Sequence, residues 1–222
     1  MIIVLFLFIK AELRHKNPFI DVRVLSLNIL LNTTFLRQVG ITFILYLILY
    51  GLPQWMEQSK GIKPSHVGLL MLPFSLAAMT MSLSLSNKKN FIALLTIGIT
   101  CIIGTSIGLF FLHQTSPNFM IICITVVMGA AEGTLTIANQ STLYAVAPDD
   151  QVGVCFGLYR TVGYIGAILA GSALKHEFKN RATDAGLHSL GIYSLVACVA
   201  IILFMLPLYF RKSTKTIKSI SN

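Results

Sequence analysis

Residues 119–146, FMIICITVVMGAAEGTLTIANQSTLYAV, form an apolar run carrying one acid, Glu132. The turn APDDQ at 147–151 leads into a second run, VGVCFGLYRTVGYIGAILAGSAL at 152–174, carrying one base, Arg160. About 20 helical residues at about 1.5 Å rise cross a hydrocarbon core of about 30 Å, so each run is long enough to span a bilayer. Each therefore holds a charge where charge is expensive, and an intramembrane acid marks an ion or substrate path by default. Glu132 lies about 21 Å along its helix from the 147–151 turn, near mid-membrane. Burial there disfavours the ionised carboxylate, which suits a group that takes up and releases a proton or meets a cationic solute. The alternative is a structural carboxyl, neutral or paired with a neighbouring helix. Arg160 lies about 12 Å from the same turn, so a direct pair with Glu132 needs both side chains extended. Snorkelling toward the near surface, or bonding to helix-end carbonyls, is the plainer reading.

The rest of the chain is of the same kind. With 55% hydrophobic residues, 11% charged and a mean hydropathy of +0.78, it departs from soluble proteins, in which about 25% of residues are charged. An all-α polytopic membrane bundle is expected, with six spans at residues 36–52, 67–85, 91–112, 119–146, 152–174 and 187–210 joined by short loops. Residues 1–9 cover only about 14 Å as helix and are followed, not preceded, by basic residues, so they read as the end of a truncated membrane helix rather than a signal peptide. Residues 10–35 are a cytoplasmic connector: Asn17-Pro18 breaks any helix, and Asp21, Arg23, Asn28 and Asn32 mark an interfacial segment. Residues 36–210 form the six-helix bundle and 211–222 a basic cytoplasmic tail.

The formal charge of +9 is not that of a nucleic-acid binder, because the basic residues flank apolar runs instead of forming a stripe. Most lie in the connector through Arg37, at Lys88 and Lys89, and in the tail Arg211 to Lys218; fewer lie in the alternate loops, at Lys60, Lys63, Lys175, Lys179 and Arg181. The bias puts the C-terminus in the cytoplasm and the protein in the cytoplasmic membrane. Cys101, Cys123, Cys155 and Cys198 fall in four different spans without ligand spacing, so neither disulfide, metal nor cofactor is indicated.

Polar residues recur at helical spacing on two spans. Thr42, Tyr46, Tyr50 and Gln54 stack on one face of the first, and Thr125, Met128, Glu132, Thr136 and Asn139 on one face of the fourth. Both stripes suit a proton or substrate pathway, or interhelical hydrogen bonding. The third and sixth spans carry no internal charge and read as lipid-facing. Gly153, Gly157, Gly163 and Gly166 let another helix approach the fifth span closely. Trp55 reads as an interfacial anchor, Pro73 and Pro207 as kinks, and Asp149 and Asp150 as helix caps.

With six spans and polar stripes on the first and fourth, the chain resembles the C-terminal half of a major facilitator superfamily transporter, and is most similar to the fourteen-helix drug:proton antiporter family. The resemblance is carried by Glu12-Leu13-Arg14 through Asn17-Pro18-Phe19-Ile20-Asp21-Val22-Arg23, by Leu52-Pro53-Gln54-Trp55 with Val67-Gly68-Leu69-Leu70-Met71-Leu72-Pro73, and by Ala147-Pro148 with Gly153, Gly157, Arg160, Gly163 and Gly166. It implies that the six spans are helices nine to fourteen, in two inverted three-helix repeats. It further implies that the first and fourth line the pathway and that the second and fifth, with that glycine and Arg160 set, face the other half. The family's N-terminal half has no counterpart in the sequence, and Glu132 stands where the family pattern is uncharged.

The expected function is the C-terminal half of a proton-coupled carrier of drugs or other small solutes, not transport-competent alone. Its partners would be lipid, protons, solute and a separately encoded or missing N-terminal half. A non-transporting interaction protein is the alternative. A membrane enzyme is disfavoured because no nucleophile–base pair or ligand cluster lies at membrane depth.

Overall fold

The computed structural model describes residues 28–88, 90–179 and 181–206. These form six helices, α1 (Ile29–Gln58), α2 (Pro64–Leu85), α3 (Phe91–Phe110), α4 (Asn118–Val146), α5 (Val152–Glu177) and α6 (Asp184–Leu203). Each is long and apolar enough to cross a membrane. Helices are what a bilayer permits, since they satisfy backbone N–H and C=O groups internally where water cannot. The stretch 1–9, the connector before residue 28, Pro207 and the basic tail lie outside the described residues.

The first helix is longer at both ends than its hydropathy indicates. It begins at Ile29, so residues 29–35, expected in the connector, are its first two turns. Asn28 caps it by accepting from Leu31 N at 3.1 Å and donates through Nδ2 to Val146 O at 3.0 Å, at the end of α4. The asparagine that reads as interfacial is thus a cap and a cross-link. At its other end α1 runs through Pro53 to Gln58. Trp55 consequently lies inside the helix, fully buried, with Nε1 donating to Asp184 Oδ1 at 2.8 Å. It does not anchor at an interface. Gln151 occupies the N-cap of α5, leaving Asp149 and Asp150 in the preceding turn rather than capping.

Packing follows a repeat. α4 lies along α2 and α3, α1 lies along α5 and α6, α1 meets α4, and α3 meets α6. Exchanging α1 with α4, α2 with α5 and α3 with α6 leaves this pattern unchanged. Three crossings separate the two members of each pair, so the triplets run in opposite senses, as in inverted-repeat transporters. Small residues permit the tightest contacts: a Cβ on Gly129 or Gly133 would run into the backbone carbonyls of Phe74 or Ala78 on α2. On the other side, a Cβ on Gly166 would meet the Val39 carbonyl of α1.

Burial separates the helices into three kinds. The core sits on α1 and α4. α3 and α6, expected to face lipid, each bury one face, through Leu95, Ile102 and Leu109 and through Leu190, Ser194 and Cys198. They turn Ile97, Ile107, Val196 and Val199 outward. α2 buries only Val67 and exposes Leu69, Leu72, Leu76 and Leu83; α5 exposes Ile165, Ile168 and Leu169.

At the end of the bundle holding the 59–63, 111–117 and 178–183 loops, one carboxylate gathers the connections. Asp184 accepts from Trp55 Nε1 and, through Oδ2, from Gln114 N at 3.3 Å, while Gln114 Nε2 donates to Ser59 Oγ at 2.9 Å. Lys60 Nζ donates to the carbonyls of Gln114 and Ser116, and Arg181 Nε to Gln58 O at 2.8 Å.

Gly133→Val is expected to lower bundle stability by about 1–3 kcal/mol through overpacking against α2. Gly157→Val, where an added Cβ meets nothing within 4 Å, should leave it unchanged; thermal unfolding in detergent compares the two. Trp55 is the only tryptophan in the sequence. Asp184→Ala should therefore red-shift its fluorescence and open it to iodide quenching.

Candidate functional site

Polar side chains converge where α1, α4 and α5 meet. Gln38, Thr42 and Tyr46 of α1, Glu132, Thr136 and Gln140 of α4, and Arg160, Gly163 and Tyr164 of α5 line one cleft of about 160 Å³. That is smaller than the roughly 300 Å³ at which ordinary small-molecule sites begin. The cleft is open along one side and has the form of a wall.

The Glu132 carboxyl sits on this wall, its Oε1 accepting from Thr136 Oγ1 one helical turn away at 2.8 Å. Arg160 lies on the rim with its guanidinium 5.3 Å from the centroid of the Phe156 ring, a cation–π contact that holds it beside the cleft. Among the described residues no ion pair joins it to Glu132. It is exposed and does not pair with the acid.

Toward the end of the bundle where α1 begins lies a buried network that the sequence stripes only touch. Arg37 is fully buried, about 12 Å into α1. Its Nε donates to Asn139 Oδ1 at 3.1 Å, Nη1 to Phe204 O at 2.9 Å and Nη2 to Thr34 Oγ1 at 2.9 Å. Phe204 caps α6, so the guanidinium meets the negative end of that helix dipole. Asn139 Nδ2 donates its two hydrogens to Thr34 O and Gln38 Oε1, both at 3.2 Å, and lies 3.5 Å from Tyr159 Oη. Four helices thus share one polar knot, and the residue at its centre reads in the sequence as a flanking charge.

The remaining expected residues divide. Thr42, Tyr46, Glu132 and Thr136 are together in the cleft, and Asn139 adjoins it through Gln38. Tyr50 continues the α1 stripe, its ring 5.4 Å from that of Tyr46, but is exposed and does not line the cleft, nor does the half-buried Gln54. Thr125 and Met128 are buried, Thr125 Oγ1 donating to Ile122 O of its own helix at 2.9 Å, and both line an apolar pocket with Ile48 and Leu52 of α1 and Met71 and Phe74 of α2. They lie in this apolar pocket between α1, α2 and α4 and do not line the polar cleft. Gly163 and Gly166 pack on α1, within the bundle, whereas an added Cβ on Gly153 or Gly157 would meet nothing within 4 Å. Of the five residues expected at an interface with another half, the two α5 glycines that pack on α1, Gly163 and Gly166, are therefore internal contacts.

An all-helical membrane bundle of two inverted triplets, with a carboxyl in a polar cleft at mid-helix, has the architecture of secondary transporters. The sequence profile of the Major Facilitator Superfamily matches residues 1–171, and the chain belongs to that superfamily. It is similar to the uncharacterized MFS-type transporter YwoD of Bacillus subtilis, with 26% identity over 86% of this chain and 43% of the relative. It is also similar to the riboflavin transporter RibZ of Clostridioides difficile (23%, over 99% and 50%) and to a tetracycline resistance determinant of Streptomyces rimosus (24%, over 72% and 47%). The chain spans about half the length of these curated relatives. It is an integral membrane protein, and membership points to a transporter rather than an enzyme.

Arg37→Met should cost about 1–3 kcal/mol for each buried acceptor left without its donor, Asn139 Oδ1 and Phe204 O foremost. The fall in the unfolding midpoint, measured in detergent, checks this.

Proposed function

We propose that the chain is the C-terminal wall of a proton-coupled carrier that exports small organic solutes, drug-like compounds among them. The observation that carries this is the Glu132 carboxyl, set at mid-helix in the polar cleft between α1, α4 and α5 with no cation paired to it among the described residues. A carboxyl so placed exchanges protons with a water-filled route, or meets a cationic solute, at the point where binding and proton release compete. The wall is one-sided, and the apolar faces of α2 and α5 are uncovered. Both features suit an N-terminal half seated against them, with Gly153 and Gly157 giving it close approach. Relatives named for riboflavin and for tetracycline resistance support an organic solute. The bias of Lys and Arg supports a cytoplasmic C-terminus in a carrier of the cytoplasmic membrane. Membership in the superfamily supports transport rather than catalysis.

Alternating access needs two halves, so this wall alone does not transport. In the assembled carrier, Glu132→Gln should insert normally yet lose pH-gradient-driven solute transport in membrane vesicles. Transport equal to that of the unmodified carrier would refute the assignment.

A further inference from the structure

The hydrogen bonds between Arg37 and the cleft have a direction that the chemistry of their two ends dictates. Arginine can only donate, and Arg37 Nε faces Asn139 Oδ1 at 3.1 Å. A backbone carbonyl can only accept, and Thr34 O faces Asn139 Nδ2 at 3.2 Å. The Asn139 amide is thus fixed twice, by independent partners. Its Nδ2 also donates to Gln38 Oε1 at 3.2 Å, which turns Gln38 Nε2 the other way, to donate to Thr42 Oγ1 at 3.0 Å. Thr42 Oγ1 therefore serves as an acceptor, leaving its own hydrogen, and the second hydrogen of Gln38 Nε2, to donate. Gln38 and Thr42 both line the cleft. Gly163 makes room for the pair: a Cβ there would stand 3.2 Å from Thr42 Oγ1 and 3.4 Å from Gln38 Nε2.

We infer that Arg37 is a positioning residue which, acting through Asn139, sets the α1 side of the cleft as a row of hydrogen-bond donors opposite the acceptor Glu132 on α4. The site then takes an organic solute with carbonyl-type acceptors on one side and a donor or cationic group on the other. This solute class rests on the reading of the cleft as a solute wall; the direction of the relay does not. Arg37 itself touches no solute. Its effect is to forbid the opposite orientation of Gln38, which would present a carbonyl and draw the Thr42 hydrogen away from the cleft.

The full chain in lipid nanodiscs, with glutamine side chains labelled with 15N, tests the relay by solid-state NMR; the Gln38 signal is the one missing in Gln38→Met. Asn139→Asp still gives Arg37 an acceptor but offers Gln38 Oε1 no donor. The Gln38 amide should turn over, its signal moving as Nε2 bonds to the new carboxylate. Arg37→Lys, which retains a donor, should leave the signal near its original position. Binding of tetracycline and of riboflavin, followed in the same preparation, should weaken about five- to tenfold in Asn139→Asp, as expected for one lost hydrogen bond. Gln38→Met should weaken it equally while leaving Arg37 and Asn139 in contact, which keeps the test open if Asn139→Asp fails to fold. A Gln38 signal unmoved by Asn139→Asp overturns the relay, whatever the transport of Glu132→Gln. Absent binding of both solutes, or binding unaltered in both variants, overturns the solute class.

Discussion

A bilayer interior offers polar groups no partner, so each N–H, hydroxyl and charge that enters it has to be met by the protein itself. Arg37 shows how far this constraint reaches. A guanidinium in hydrocarbon costs at least a few kcal/mol, and here its donors are taken by Asn139 of α4, Thr34 of α1 and the carbonyl of Phe204 at the end of α6. Three helices are held in register by one side chain, and no carboxylate among the described residues is needed to do it. The polar groups of the cleft lie next to this knot, because Gln38 belongs to both.

Hydrophobicity does little to choose helix partners in lipid, since tails are as apolar as leucine. Shape and small residues decide instead. Gly129 and Gly133 bring α4 onto α2, and Gly163 and Gly166 bring α5 onto α1, so the two tightest contacts lie in exchanged positions of the repeat. What these contacts leave over are the outward faces of α2 and α5. A carrier that rocks one half against another needs apolar faces of this kind, with small residues at their closest points.

The spans were legible because length and hydropathy together admit few other readings, and Glu132, Thr136, Thr42 and Tyr46 were legible because a period of three to four residues puts them on single faces. Gln38 lies one turn before Thr42, so the same stripe extended backwards would have found it. Arg37 was hidden by its neighbours: Asn32, Thr33 and Thr34 lower the hydropathy there, which moved the apparent start of the helix to Leu36 and left the arginine looking like a flank. The fate of Thr125 and Met128 was not local information. They share a face with Glu132, but at their level α1 and α2 close over α4 with Ile48, Leu52, Met71 and Phe74. The same holds for the glycines of α5, whose spacing tells that a helix comes close but not which one.

The account turns on Glu132 facing a route that water can enter. In a chain whose four cysteines are replaced by serine or alanine, a single cysteine introduced by Glu132→Cys should react in intact membranes with a charged, membrane-impermeant thiol reagent. One introduced by Ile97→Cys, on the outward face of α3, should not. Labelling of both to the same extent, or of Ile97→Cys alone, would contradict it.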